Sequence, residues 1–386
     1  MTPQPTRRTV LTLLGTTAGG LPLAEGAARG AGGTAGAASG RVFLGGYSGG
    51  DPAAGIGVAG VDEGTGELRL ETVVPGENPS FLALSASGRV LYAVNETRDG
   101  TVSAFALDED GAVLGSLGTA SSGGASPCHL SVHPLGGHLF TANYESGTIA
   151  VVALREDGGP GEVTQVVQHT GSGPDPERQT GPHAHMVLPD PGGERLFAVD
   201  LGTDSVHVYA FDPGPGTLTR ESELKMTPGS GPRHLAPHPG GRAVYVVGEL
   251  DCTLTTCAYD PGTGALTPLA TVSALPPGTP SDGAIAAGVR VSADGRFVYA
   301  SVRGQDSVAV FAVEEEDGTA LRLLSHHPAG GRTPRDLYLD EARSRVYVAN
   351  QDSGLVAVLD RDPADGGLAP AREALAFPRV TCVLPL

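Results

Sequence analysis

The stretch PCHLSVHPLGGHLFTANYE, residues 127–145, holds a short apolar run, a tight turn containing two glycines, and a second apolar run that ends on polar residues. Apolar runs of this length, bounded by Gly and Pro, are the mark of a β-hairpin. The pattern returns as PSFLALSASGRVLYAVNE from Pro79, HAHMVLPDPGGERLFAVDLG from His183 and PRHLAPHPGGRAVYVVGEL from Pro232. AAGVRVSADGRFVYASVRG from Ala286 and PRDLYLDEARSRVYVANQD from Pro334 continue it. After each hairpin comes a third strand, as in GTIAVVALR or DSVHVYAFD, then a DG- or PG-containing turn and a fourth.

Units that start about 46 to 56 residues apart have the length of a four-stranded propeller blade rather than of a helical repeat. Six units are complete. The seventh is split: RVFLGGYSG from Arg41 matches only a second strand, and VTCVLPL at the C-terminus matches only a first strand. Pairing the two ends in one blade closes a ring and removes the open sheet edges. The sequence therefore predicts an all-β fold, a seven-bladed β-propeller with four-stranded blades over residues 41–386. A linear solenoid is the alternative.

Composition agrees with this reading. The 386 residues include 58 Gly, 31 Pro and no Trp, as in a turn-rich β protein. A formal charge of −18 excludes nucleic acid as a partner, since a polyanion would be repelled. Residues 1–40 read as an export signal and linker: Arg7 and Arg8 precede an apolar stretch to about Leu23, and a Gly/Ala-rich tail follows. The match to a twin-arginine signal is partial, with Val10 and Thr12 at positions usually held by Phe and Lys. The expectation is an exported chain without a membrane anchor after processing; the alternative is a cytoplasmic one. The four cysteines, Cys128, Cys252, Cys257 and Cys382, have no metal-binding CxxC spacing and are expected to be free, buried thiols, with Cys252 and Cys257 both in a strand.

In a propeller the start of strand one and the end of strand two meet at the same rim, so the repeat itself gathers candidate site residues. The third positions of strand one read Phe81, His129, His185, His234, Gly288, Asp336 and Cys382; the second read Ser80, Cys128, Ala184, Arg233, Ala287, Arg335 and Thr381. Strand two ends on Tyr47, Glu96, Tyr144, Leu201, Glu249, Arg303 and Gln351. Histidines, arginines and glutamates are costly to bury unless paired, so such a set marks a ligand pocket at the channel mouth rather than a core. His183, by contrast, falls in the connecting loop.

The motifs GPHAHMVLPD, VDLGTDSVHVY, GSGPRHLAPHPGGRAVYVV, GEL at 248–250, RGQDSVAVF, TPRDLYLD and VANQDSG, taken in order, resemble the seven-bladed lactonase family. That family includes the propeller-type 6-phosphogluconolactonases and the fungal carboxy-muconate cyclases. The resemblance runs from about Arg41 to Leu386. It implies a lactone hydrolase with His185, Glu249, Arg233 and Arg303 as catalytic residues. His129, His234, Arg335, Glu96, Tyr144 and Gln351 are the substrate-binding candidates beside them. Val302, Gly248 and Gln305 depart from the residues usual in that pattern.

In such a site either His185 or Glu249 would activate water, and the arginines would hold an oxyanion or an anionic substituent. The partner is a small lactone or sugar acid, with no cofactor and no metal expected; nothing signals an oligomeric state. Other readings are a noncatalytic exported binding propeller and a lactonising cycloisomerase of the muconate type. A further one is a calcium lactonase using Glu96, Asn95, Asn143, Asp200 and Asn350, although the rim arginines would repel its cation.

Overall fold

Each apolar segment of the repeat forms a strand, and strands that follow one another within a blade pair, apart from the last strand of the chain, which pairs with the first. The computed structural model describes residues 40–51 and 54–386; the twin-arginine segment lies outside the described residues. Seven four-stranded antiparallel sheets follow one another around a ring. Blade 1 contains β1 (Arg41–Gly46), β2 (Gly55–Val61) and β3 (Leu68–Pro75), with the C-terminal β28 (Val380–Pro385) as its first strand. Blades 2 to 7 are β4–β7 (82–121), β8–β11 (127–168), β12–β15 (184–225), β16–β19 (232–273), β20–β23 (285–328) and β24–β27 (334–376). The first strands of neighbouring blades touch, β8 against β12 and β24 against β28, so they line the axis. β28 pairs with β1 from Val42↔Pro385 to Gly46↔Val380, which is the closure expected from the split repeat.

The core lies between the blades. Tyr245 and Val247 of blade 5 pack against Val298, Ala300 and Phe311 of blade 6. Across the closure, Val42 and Leu44 of blade 1 meet Tyr347 and Val356 of blade 7. Inner strands are covered on both faces and are apolar almost throughout, while outer strands such as β7 (Val113–Ser121) are largely exposed. The four cysteines are free and buried. Cys252 differs from expectation in one respect: it sits at φ 53° in the turn before β18 (Thr253–Asp260), not within a strand.

One aromatic residue in the second strand of each blade is fully buried: Phe43, Tyr92, Phe140, Phe197, Tyr245, Tyr299 and Tyr347. Where it is tyrosine, its hydroxyl crosses to the next blade and donates to a turn carbonyl. Tyr92 reaches Gly158 O at 2.8 Å, Tyr245 reaches Gly318 O at 2.8 Å, Tyr299 reaches Gly366 O at 3.0 Å, and Tyr347 reaches Gly66 O at 3.1 Å across the closure. A side chain at φ 77° would be strained at Gly66, and a Cβ there would press on Arg345, so the turn needs glycine.

Removing one of these hydroxyls leaves a turn carbonyl without its donor. Tyr347→Phe should therefore lower stability by about 1 kcal/mol or more at an unchanged slope in urea denaturation. An unchanged midpoint would show that the bond across the closure contributes nothing.

Candidate functional site

Strand one of most blades opens with a β-bulge, and the bulged residue is turned toward the axis. Pro127 pairs with Asn143 and His129 with Ala142, which leaves Cys128 unpaired. In the same way Arg233 is skipped between Pro232↔Gly248 and His234↔Val247, and Arg335 between Pro334↔Asn350 and Asp336↔Ala349. In blade 4 the skipped residue is His185, between Ala184↔Asp200 and Met186↔Val199. This corrects the sequence register by one residue: His185 belongs with Cys128, Arg233 and Arg335, and Met186 rather than His185 is level with His129 and His234. A single-residue slip is easy to make in a strand whose first residues carry no alternation.

The bulges and the ends of strand two bring distant residues together around Glu249, which is only 2% exposed. Its Oε2 lies 3.0 Å from Arg233 Nε and 2.8 Å from Arg303 Nη2, and its Oε1 lies 2.6 Å from Arg178 Nη2. The Arg233 contact is an ion pair without hydrogen-bond alignment, since Nε has no partner of suitable angle. Arg303 also donates to Ala286 O at 2.8 Å, and Arg233 Nη1 sits 3.3 Å from His234 Nε2. A second cluster adjoins the first: Arg335 donates to the Tyr47 hydroxyl at 3.1 Å, and Tyr47 donates to Glu96 at 3.0 Å. Ser80 also donates to Glu96. Arg233, His234, Arg335 and Glu96 line one cavity together with Cys128 and Asp336.

His185 is buried beside this network. Its Nδ1 is 3.8 Å from Cys128 Sγ, and its ring meets Tyr144 edge-on at 5.6 Å and His234 at 5.3 Å. His129 stacks at a tilt on Phe81, 4.2 Å between centroids, and lies 5.4 Å from His234. Tyr144 also lies flat against His183, whose Nδ1 is 2.9 Å from Tyr144 O, so His183, in the connecting loop as the sequence suggested, supports the rim. Gln351 turns to its neighbour Asp352 at 3.4 Å.

Charges here are set by burial and by one another. Burial would raise the Glu249 carboxyl, but Arg303 and Arg233, with His185 and Arg178, hold it far below the ordinary carboxylate range. Burial, then Arg233, pushes His185 and His234 well below the usual imidazole value, and burial with Arg290 and Arg233 brings His129 to about 3. These imidazoles are neutral at pH 7. Burial and Arg303 bring Arg233 down to about 9, still charged at neutral pH. Four guanidinium groups, Arg178, Arg233, Arg303 and Arg335, thus face the two carboxylates Glu249 and Glu96, while the third carboxylate of the cavity, Asp336, is paired with Arg290 at 2.7 Å, leaving an excess of positive charge.

Arg178 was not visible in the repeat because it belongs to none of the blades. It sits in the loop 169–183 between β11 (Pro160–Gln168) and β12 (Ala184–Pro189), and the unusual length of that connection was its only signal. The loop is fixed: Asp175 Oδ1 accepts from Glu177 N and Arg178 N, and the buried Gln179 amide donates to Leu201 O and Asp204 Oδ1, both at 2.8 Å. The oxygen groups considered for calcium do not converge. Asn95 bonds to Thr101 and Ser103, Asn143 to Ser122 O, Asn350 to Ala329 O, and Asp200 to His169, so only Glu96 looks into the cup.

The family described as "Lactonase, 7-bladed beta-propeller" matches residues 41–385. The chain belongs to this lactonase family. It is 33% identical to a 6-phosphogluconolactonase of Bacillus subtilis over 79% of this chain and 86% of that protein. A 6-phosphogluconolactonase of Formosa agariphila is 31% identical, with 85% and 94% covered. Among solved structures, the periplasmic gluconolactonase of Pseudomonas aeruginosa superposes with a TM-score of 0.82 at 30% identity, over 89% of this chain and 98% of that one. These likenesses support a general lactonase, that is hydrolase, function for this lactonase-family chain and a small lactone or sugar acid as its ligand.

Glu249 gives a direct test of the charge network. Its depressed pKa adds stability that is complete above about pH 4.5, the ordinary value, and is lost as the pH falls toward and through the folded value. Glu249→Gln, which leaves buried guanidinium groups without their counter-charge, should be less stable by about 3–5 kcal/mol at pH 7. The difference from wild type should shrink as urea denaturation is repeated at lower pH; a difference independent of pH would contradict the assignment.

Proposed function

We propose that the cup hydrolyses a sugar lactone, with His185 as the general base and the arginines stabilising the oxyanion. The observation that carries this reading is the neutral, buried imidazole of His185 beside a carboxylate already saturated by three arginines. Both Glu249 oxygens are engaged by guanidinium groups, so Glu249 acts by fixing them. His185 keeps a free lone pair at neutral pH and takes a proton from the attacking water. The Glu249 ion pairs use only part of the five N–H donors of each guanidinium, which leaves others for the oxyanion of the tetrahedral intermediate. As the ring C–O bond breaks, protonated His185 returns its proton to the leaving alkoxide, giving the hydroxy acid. The excess positive charge suits the carboxylate product and would accept an anionic substituent on the substrate.

The twin-arginine segment and the likeness to a periplasmic gluconolactonase support placing this activity outside the cytoplasm, on unphosphorylated aldonolactones. The test is hydrolysis of a phosphogluconolactone, a gluconolactone and a muconolactone, followed by base uptake against the spontaneous rate. The gluconolactone should be turned over, and His185→Ala should lower kcat by more than about a hundredfold in a folded protein. Arg303→Ala should raise KM for anionic lactones more than for neutral ones. No turnover above background for any of the three would refute the proposal.

A further inference from the structure

A second cluster of chemistry-bearing groups lies outside the cup and takes no part in the reaction above. Asp200 ends β13 (Arg195–Asp200) and pairs with Ser205 of β14 (Ser205–Asp212). His207 stands two residues further along β14, so it shares the face of the sheet with Asp200. His169, the first residue after β11, arrives from blade 3 and sets its ring 4.2 Å from that of His207. Its Nδ1 is 2.6 Å from Asp200 Oδ2.

All three side chains are buried: Asp200 is 0% exposed, His207 3% and His169 4%. Among the described residues, neither ring nitrogen of His207 has a hydrogen-bond partner, nor has Nε2 of His169. Buried polar atoms are nearly always partnered, and leaving several bare in one place is costly. One donor atom from each residue can be chosen so that the three lie within 4.8 Å of one another. Small side-chain rotations would bring them to the roughly 3.3 Å separation of ligands about a tetrahedral ion with bonds near 2.0–2.1 Å.

We propose that His169, Asp200 and His207 form a binding site for one divalent transition-metal ion of the zinc type. Two imidazoles with one carboxylate select such ions over calcium or magnesium, which require mostly oxygen. Glu223, opposite His207 in register, is already paired with Lys225 at 2.7 Å and Arg220 at 3.7 Å, so the ligands are the three buried residues alone. The Asp200 carboxylate is also anchored: its Oδ1 accepts from His183 N at 2.9 Å and Thr203 N at 3.1 Å.

These bonds give the site a consequence for the cup. His169 begins the loop 169–183, and Asp200 holds its last residue, His183. An ion bound by His169 and Asp200 therefore clamps both ends of the loop that carries Arg178 to Glu249. Its role is structural, because the cluster is closed to solvent.

The test uses the full chain, stripped with a chelator and titrated with Zn²⁺ and with Co²⁺. Wild type should take up one ion per chain, show a visible Co²⁺ band and melt at a higher temperature when loaded. His207→Gln and His169→Gln should each weaken uptake by at least about tenfold, whereas His326→Gln, which alters an imidazole outside the cluster, should bind as wild type does. Absence of tight uptake by wild type would overturn the proposal, whether or not the variants fold. So would uptake by His207→Gln equal to that of wild type. Neither readout depends on lactone turnover, so this site and the activity of the cup stand or fall separately.

Discussion

The pairing of the last strand with the first fixes everything else. Once β28 hydrogen-bonds to β1, the blades can no longer splay, and each must pack on two neighbours. A ring leaves only short inner edges, protected where the first strands meet around the axis. It also sets the strand-one bulges of six blades and the seven strand-two ends around one axis. That is how Arg233, Glu249 and Arg303, from two successive blades, come within ion-pair distance. The tyrosines of strand two hold blade to blade at the outer turns, and Tyr347 does so across the seam itself.

What the ring gathers is expensive. Burying Glu249 and Arg233 costs several kcal/mol each in desolvation, and mutual attraction compensates only when the geometry is good. A chain selected for stability alone would place apolar residues there. On the proposed hydrolysis the arrangement becomes intelligible as preorganisation: positive groups would already be in place where negative charge develops, and no solvent would have to reorient during reaction. It also separates the cup from the rest of the protein. The chain carries a formal −18, yet around Glu249 the guanidinium groups outnumber the carboxylates. An anionic ligand would be repelled by most of the surface and held at this mouth, so its binding should depend on ionic strength.

Much of this was legible in the residues. The repeat fixed the number of blades, the split blade and the rim to which His185, Arg233, Glu249 and Arg303 belong. It falls short where the strand-one register depends on its spacing to the buried aromatic of strand two. The interval from Cys128 to Phe140, from Arg233 to Tyr245 and from Arg335 to Tyr347 recurs from His185 to Phe197, and it would have placed His185 in its true row. The His185 of the HAH segment instead invited alignment with His129 and His234, a row that belongs to Met186. Arg178 was hidden for a different reason: periodicity informs about strands and says nothing of a loop whose course depends on an Asp175 turn and a buried Gln179. The direction in which Asn95, Asn143, Asp200 and Asn350 point was likewise out of reach, since the bulge that decides which side chain faces the axis is a property of pairing.

Central to the account is a neutral His185 that accepts a proton within a positively charged cup. The pH profile of kcat/KM for a gluconolactone tests this most directly. The account predicts activity maintained as the pH falls through 6.5, the ordinary imidazole value, with the acid limb only below it. An acid limb at or above pH 7, or one that persists unchanged in His185→Ala, would contradict it.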